Sequence, residues 1–489
     1  MKISCDRILD RIFITLFYAY ACVSTCGITF GTKLVSYFMW PSILFGAILV
    51  LYRIIKFKKY TNMPGQIAVI GMIASIFLST FANYQYNLKE NLVYCIYWVL
   101  YFVVLYFVQR DRTIEEIKKD FEYIGILVLI TINISVFIGL KQMFDGYAML
   151  CEHPESGFLY WQGFAIGRLW GIYINPNRGA ITVTLAVAVL LYFLAQTKSI
   201  VLKILSVMDM LCLIFYIALT DSRSGAVCIG VLFGVYVFFR MILWACSQEG
   251  ERLKRICITV VISVLVVLIG MKAPREAKNA YNDVLNWMAE KKLESIEDID
   301  VEDKSEEEIN QEINEAINEA NSIQQLEVER GYDLTGDISN NRFTIWRSGI
   351  EIFRHSTKNM IIGTSFCGFT PYAAKNIPWS VIITKFGFHY TTLENDILHV
   401  LVSQGFIGFA IMVWFVLSLF IEVGKKIIKV ERKHRNMVAA MLALLFAYVA
   451  SAFFGSAMFY QFSTNTVVFW AVLGYLMYIL RNSGEVYED

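Results

Sequence analysis

The chain has 489 residues, of which 57% are hydrophobic and 15% aromatic while only 17% are charged. With a mean hydropathy of +0.53, this composition excludes a soluble globular protein and points to an integral membrane protein. The net charge of +1 gives no global attraction to nucleic acid, so the information lies in where the charges sit.

Lys2, Arg7 and Arg11 precede the first apolar run. That run is too long for a signal peptide and no small-residue cleavage site follows it, so it reads as an uncleaved span. Apolar stretches long enough to cross a bilayer, about 17 to 25 residues, fall near 12–31, 37–55, 64–82, 91–108 and 121–140. After a polar interval they resume near 178–197, 204–220, 225–245, 257–271, 397–421, 437–458 and 464–480. The runs are continuous rather than alternating, and in lipid the backbone must be satisfied within each segment, so the spans are helices. The expected fold is an all-α polytopic membrane protein with about 12 transmembrane helices and one large extracytoplasmic loop between helices 9 and 10. Residues 1–271 then carry helices 1–9, residues 272–395 the loop, and residues 396–489 helices 10–12 with a short cytoplasmic tail.

Lysine and arginine counts in the short loops give the orientation. The loops at 53–59, 110–119, 198–203, 240–255 and 425–435 are basic, whereas the alternate loops carry only Lys33, Lys89, Lys141, Arg168, Arg178 and Arg223. Both termini are therefore expected in the cytoplasm and the long insertion outside.

Within the insertion, residues 290–329 are acid-rich and repeat as EEIN, QEIN, EAIN and EAN. Ile309, Ile313, Ala316, Ala320 and Ile323 recur at steps of three and four, the pattern of an amphipathic helix with a solvated acidic face. The acids lack the glycine and ordered alternation of a calcium loop. In the following DLTGDISNN, Asp333 and Asp337 are either turn residues or a pair able to hold a metal, and the turn is the preferred reading.

The ten cysteines show no CxxC pair, and the five histidines no HExxH or other ligand spacing, so no metal is expected. Cys151 and Cys367 both fall on the outer side, where a disulfide is one option. The chemistry is left to arginines and carboxylates. Arg168 lies in GRLWGIYINPNRGA and Arg223 in TDSRSGA. Each either snorkels to lipid headgroups or binds an anion, for which the guanidinium fork suits a diphosphate. Arg342, Trp346 and Arg347 fall at helical spacing after a capping-type Asn341, with Arg342 and Trp346 on one face. Glu394 and Asn395 immediately precede the tenth span; a carboxylate there is a solvated cap or a general base beside cations.

RLWGIYINPN, DSRSG, then DISNNRFTIWRSGIEIF with IIGTSFCGF, and finally ENDILHVLVSQGFIGF occur in this order on one predicted side. This order resembles the O-antigen polymerase and ligase superfamily, in particular bacterial capsular and exopolysaccharide polymerases. The resemblance covers roughly the C-terminal two thirds from Arg168. It implies a metal-independent, cofactor-free glycosyltransferase of the cytoplasmic (inner) membrane that uses an undecaprenyl-diphosphate-linked glycan as donor and acceptor. A chain-length regulator and a flippase are the partners it implies. By position, Arg223 and Arg342 engage the donor diphosphate. Arg168, Asn175 and Asn177 of the first motif, with Trp346, Arg347, His389 and Asn395, are assigned to substrate binding. Ligases of the superfamily commonly place a histidine before the asparagine leading into the tenth span. Here Glu394 stands there, which favours a polymerase and makes Glu394 the candidate base, with His389 as fallback. No GxxxxGK[ST] loop for a nucleotide is present. A ligase and a polysaccharide flippase are the rival readings. The second is disfavoured by the large insertion and by the scarcity of charges at span centres.

Overall fold

The computed structural model describes residues 5–152, 159–245, 251–296, 305–329, 342–384, 390–455, 459 and 461–483. Eleven of its helices are long and apolar enough to cross a membrane, and Gln66–Ala82 is a shorter apolar helix. The chain is a multi-pass, all-α membrane protein.

The first five spans are α1 (Cys5–Thr25), α2 (Lys33–Ile55), α3 (Gln66–Ala82), α4 (Leu88–Val99) and α5 (Ile114–Phe144). α4 runs on as a π-helix over Leu100–Tyr106. A small antiparallel sheet follows, of β1 (Ala148–Glu152), β2 (Leu159–Ala165) and β3 (Arg168–Gly171). Next come α6 (Pro176–Gln196), α7 (Ile200–Leu219), α8 (Arg223–Ala245) and α9 (Arg252–Glu294). The insertion holds α10 (Glu306–Gln324), α11 (Arg342–Arg354), α12 (Thr357–Ile362), α13 (Phe369–Asn376) and α14 (Val381–Thr384). The chain returns to the bundle in α15 (Asp396–Lys426), α16 (Arg435–Ala452) and α17 (Thr464–Asn482). Starts are marked by caps: Thr113 with Glu116 and Ser305 with Glu308 form capping boxes, and Ser199, Ser356 and Ser463 each accept a first-turn N–H.

α6, α16 and α17 form the centre and are buried on most sides, while α2, α7 and α9 turn most of their apolar surface outward. Such all-round apolar helices are stable only where lipid replaces water. α8 and α9 pack through small residues: a Cβ on Gly234 would meet Val267 at 2.2 Å, and one on Gly270 would meet the Gly230 Cα at 2.9 Å.

Loops segregate to two ends of the bundle. At one end, here the basic end, the Asp120 carboxylate accepts from Arg7 at 2.9 Å, Arg11 at 2.8 Å and Arg112 at 2.7 Å. Arg53 reaches Asp10 at 2.5 Å, Arg435 donates to the Leu243 carbonyl, and Tyr478 donates to the Arg110 carbonyl. The start of α1, the end of α17 and the basic loops thus share one end. At the other, Tyr160 donates to the Gly27 carbonyl, Lys358 to Ala82 and Asn87 to Cys367. The loops poor in lysine and arginine therefore lie with the insertion.

The structure departs from the sequence expectation in two places. The sheet between α5 and α6 interrupts the all-α pattern. Its strands are short, and Gly163 and Gly167, both at positive φ, permit its tight pairing and turn. The ninth helix, expected over 257–271, continues to Glu294 because alanine, lysine and glutamate keep helix propensity after the apolar run ends. The amphipathic helix read from Ile309 to Ile323 is present as Glu306–Gln324. It folds back on α9, with Ala320 buried and Glu319 paired to Lys292 at 2.5 Å. The strap after it runs down α9, where Asn282 exchanges two bonds with Val328, and reaches the sheet, where Glu329 N donates to the Gly167 carbonyl at 3.0 Å.

Asp120→Ala would leave three arginines without their shared carboxylate. A loss of about 3–5 kcal/mol is expected, read as a lowered unfolding temperature of the detergent-solubilised protein, with Asp120→Glu retaining part of it.

Candidate functional site

The site is built around the first turn of α6. Asn175, in extended backbone at φ −156°, caps the helix by accepting from Asn177 N at 2.8 Å, and Pro176 supplies a fixed φ at the first helical position. Asn177 Oδ1 accepts from Arg168 Nη2 at 3.1 Å, and Arg168 Nε donates to the Thr220 carbonyl at 2.9 Å. The first two motifs are thereby tied together. Asp221, beside Thr220, pairs with Lys278 of α9 at 3.4 Å. Arg223 opens α8 and is exposed. Two residues on, a Cβ at Gly225 would come within 2.6 Å of the Ala180 methyl, so the start of α8 abuts the start of α6.

Arg178, next to Asn177, is half-buried and has Glu394 and Tyr94 as its charged and titratable neighbours. Glu394 is a non-glycine residue at φ +50°, a strained conformation of the kind found where a side chain must point one way. Its Oε1 accepts from Thr392 Oγ1 at 3.0 Å. Burial, and then the Glu394 charge, push the Tyr390 phenol up. Asn395 caps α15 by accepting from Leu398 N at 2.9 Å, so its side-chain oxygen serves the helix start. Asp396, fully buried, accepts from Phe459 N at 3.2 Å and fixes the loop between α16 and α17. Behind Tyr94 stands an aromatic wall: Phe366 lies 4.1 Å from it, Tyr97 5.8 Å, and Phe462 stacks on Tyr97 at 4.7 Å.

α11 packs against this region through Ile345, Ile352 and Phe353, which share a cluster with Leu393 and Val402. A Cβ on Gly349 would meet Leu393 at 2.9 Å and Leu398 at 3.6 Å. Arg342 and Trp346 share a face, as their spacing requires, with Trp346 against Phe343 at 5.4 Å. Among the described residues Trp346 Nε1 is buried without an acceptor; Arg342 is half-exposed and Arg347 exposed. His389, Asn341, Asp333 and Asp337 lie outside the described residues.

The insertion also enters the bundle. α15 is broken at Gly405, φ +64°, and the segment after α12 fits into the break. Thr364 N donates to Val402 O at 3.0 Å and Ser365 N to Ser403 O at 2.9 Å. Ser79 Oγ donates to Ser403 O and Asn83 Nδ2 to Gly363 O, so the freed backbone groups are satisfied from α3.

The structure thus brings Arg168, Asn175, Asn177 and Glu394 to one end of α6, and α11 to the start of α15. Sequence reasoning missed Arg178, Tyr94 and Asp396 as members of the site. Arg178 had a signal, as a base kept in a loop otherwise poor in them; Tyr94 had none in an aromatic-rich span. Cys151 and Cys367 are free, and burial pushes both thiols up, so neither is an activated nucleophile. Chemically, the arrangement offers guanidinium groups for an anion beside a carboxylate able to take a proton.

Arg168→Ala removes both bonds joining β3, α6 and the α7–α8 turn. It is expected to cost about 1–3 kcal/mol, measured as a lower unfolding temperature, with a smaller loss in Arg168→Lys.

No curated protein matches the chain. Residues 208–413 match the family model described as O-antigen ligase. The matched stretch runs from α7 into α15 and includes Arg223, Arg342 and Glu394, while Arg168 and the first turn of α6 precede it. Residues 208–413 are therefore similar to the O-antigen ligase family, which is consistent with the O-antigen polymerase and ligase superfamily that the chain's motifs resemble.

Proposed function

We propose that this protein is a polysaccharide polymerase. It joins undecaprenyl-diphosphate-linked repeat units at the outer face of the cytoplasmic membrane, for capsule, exopolysaccharide or O-antigen synthesis. The family domain supports glycosyl transfer of the O-antigen ligase and polymerase type. The observation that carries the finer reading is Glu394 in the place of a ligase-type histidine, facing Arg178 at the end of the bundle that bears the insertion. The basic loops gathered at the opposite end support a cytoplasmic location for that end and for both termini.

In the reaction, the acceptor sugar hydroxyl oxygen attacks the anomeric carbon of the growing chain. Its proton passes to the Glu394 carboxylate. The bond from the anomeric carbon to the phosphate oxygen breaks, and the electron pair leaves on the lipid diphosphate. Arg223 and Arg342 stabilise the charge that grows there, as positioned cations do in the absence of a metal. Trp346, Arg347 and Asn395, with Arg168, Asn175 and Asn177, border the glycan. The aromatic wall behind Tyr94 supports this use, since flat rings present an apolar face to a sugar. A ligase transfers the finished chain to a different acceptor by the same chemistry.

In cells carrying Arg342→Ala or Glu394→Gln, long polysaccharide is expected to fall by about 100-fold or more at unchanged protein level, with single lipid-linked repeat units accumulating outside. Long chains that form but never reach their final acceptor would favour a ligase. Lipid-linked units held on the cytoplasmic leaflet would favour a flippase. For the orientation, a single cysteine at Glu315 in a cysteine-free chain is expected to react with a membrane-impermeant maleimide in intact spheroplasts. Labelling only after lysis would reverse the topology.

A further inference from the structure

Asp209 is the tenth of the twenty residues of α7, so roughly 15 Å of helix separates it from either end of the span. An ionisable side chain at that depth is costly in lipid, and most such groups face the interior of a bundle. This one does not. α7 is a peripheral helix: Leu202, Leu205, Met208 and Leu211 are exposed to lipid, while Leu213 and Tyr216 turn inward and are fully buried. Asp209 stands at the border of the two sides and is half-buried, as is Asn133 on α5. Asp209 Oδ2 accepts from Asn133 Nδ2 at 3.1 Å, and among the described residues neither side chain has another hydrogen-bonding partner. The pair is therefore half satisfied. Asp209 keeps an unused oxygen, and Asn133 keeps a second N–H and its side-chain oxygen. Hydrocarbon can supply neither donor nor acceptor to them.

We infer that this face of α7 docks a second copy of the chain within the membrane, the two Asp209–Asn133 pairs exchanging hydrogen bonds across a two-fold axis. Copies inserted in the same direction meet about an axis normal to the bilayer, so a residue near the axis meets its counterpart at equal depth. A pair holding both an unused acceptor and an unused donor is its own complement under that operation. The free Asn133 N–H of each copy donates to the open Asp209 oxygen of the other. An unrelated helix would have to place a matching group at mid-bilayer; a second copy does so by construction. The neighbouring residues have the spacing of a helix seam: Leu202, Leu205, Asp209 and Cys212 follow at steps of three, four and three on one side of α7. Helices in lipid associate through packing and interhelical hydrogen bonds, and a single polar position in an apolar seam fixes register and copy number. The pair lies far from both ends of the bundle, so the inference does not depend on the glycan chemistry proposed above.

Cys212, exposed one turn from Asp209, reports the contact directly. The full chain with Cys212 as its single cysteine is expected to form a disulfide-linked dimer when oxidised with copper phenanthroline in liposomes. Energy transfer between donor- and acceptor-labelled copies, followed as lipid is added, gives the dissociation constant. Asp209→Leu and Asn133→Leu should each weaken the dimer by about tenfold or more, without lowering the unfolding temperature, since leucine suits lipid. Asp209→Asn, which keeps a hydrogen-bonding group and removes the like charges, should retain it. Energy transfer no greater than that of randomly mixed monomers overturns the docking face. A dimer that neither cross-links through Cys212 nor responds to Asp209→Leu overturns it too. So does a lowered unfolding temperature in Asp209→Leu with unchanged energy transfer, which would make the pair a brace between α5 and α7 of one copy. In native membranes, a Cys212 cross-link to a different protein in place of a second copy has the same consequence.

Discussion

The first turn of α6 is the constraint on which the candidate site depends. Asn175 caps it, Asn177 anchors Arg168, and Arg168 in turn holds the carbonyl of Thr220. Gly225 lets α8 close against Ala180, which brings Arg223 to the same end. One short turn therefore fixes a strand, the α7–α8 junction and the start of α8. Because Arg178 belongs to that turn, its place within reach of the Glu394 charge is set by bonds made by its neighbours.

The insertion is attached to this frame at two depths. Its α10 and following strap lie along the extended α9 and come down to Gly167, beside Arg168. Its later part enters the bundle, where Gly363 and Gly405 allow two backbones to approach within distances no side chain would permit. An interrupted helix in lipid is tolerated only where its freed groups find partners, and Thr364, Ser365, Ser79 and Asn83 are those partners. The break thus joins α15, whose first turn follows Glu394, to α3 and α12.

At the basic end the arrangement is of another kind. Arg7, Arg53, Arg112, Asp10 and Asp120 are buried and paired with one another. Their paired charges hold the starts of α1 and α5 and the end of α2 together. The cations at the insertion end have open surface: Arg223 and Arg347 are exposed, Arg178 and Arg342 half-buried. Paired arginines at one end and arginines with open surface at the other separate the bracing of the bundle from a surface suited to an anion.

The sequence by itself determined the membrane class, the approximate number and place of the spans, the alternation of basic and base-poor loops, and the helical spacing of Arg342 and Trp346. These follow from local rules: a bilayer demands a long apolar run, and helix periodicity decides which residues share a face. It also marked Arg168, Arg223 and Glu394 through motifs read in order. Only the tertiary structure decided that Asn175 and Asn395 cap helices, that α9 continues as a stalk, that a small sheet carries Arg168, and that Arg178 comes within reach of the Glu394 charge. Residues 178 and 394 are joined by no local pattern. Their proximity depends on how α6 and α15 pack, and packing is the sum of many contacts between residues distant in the chain.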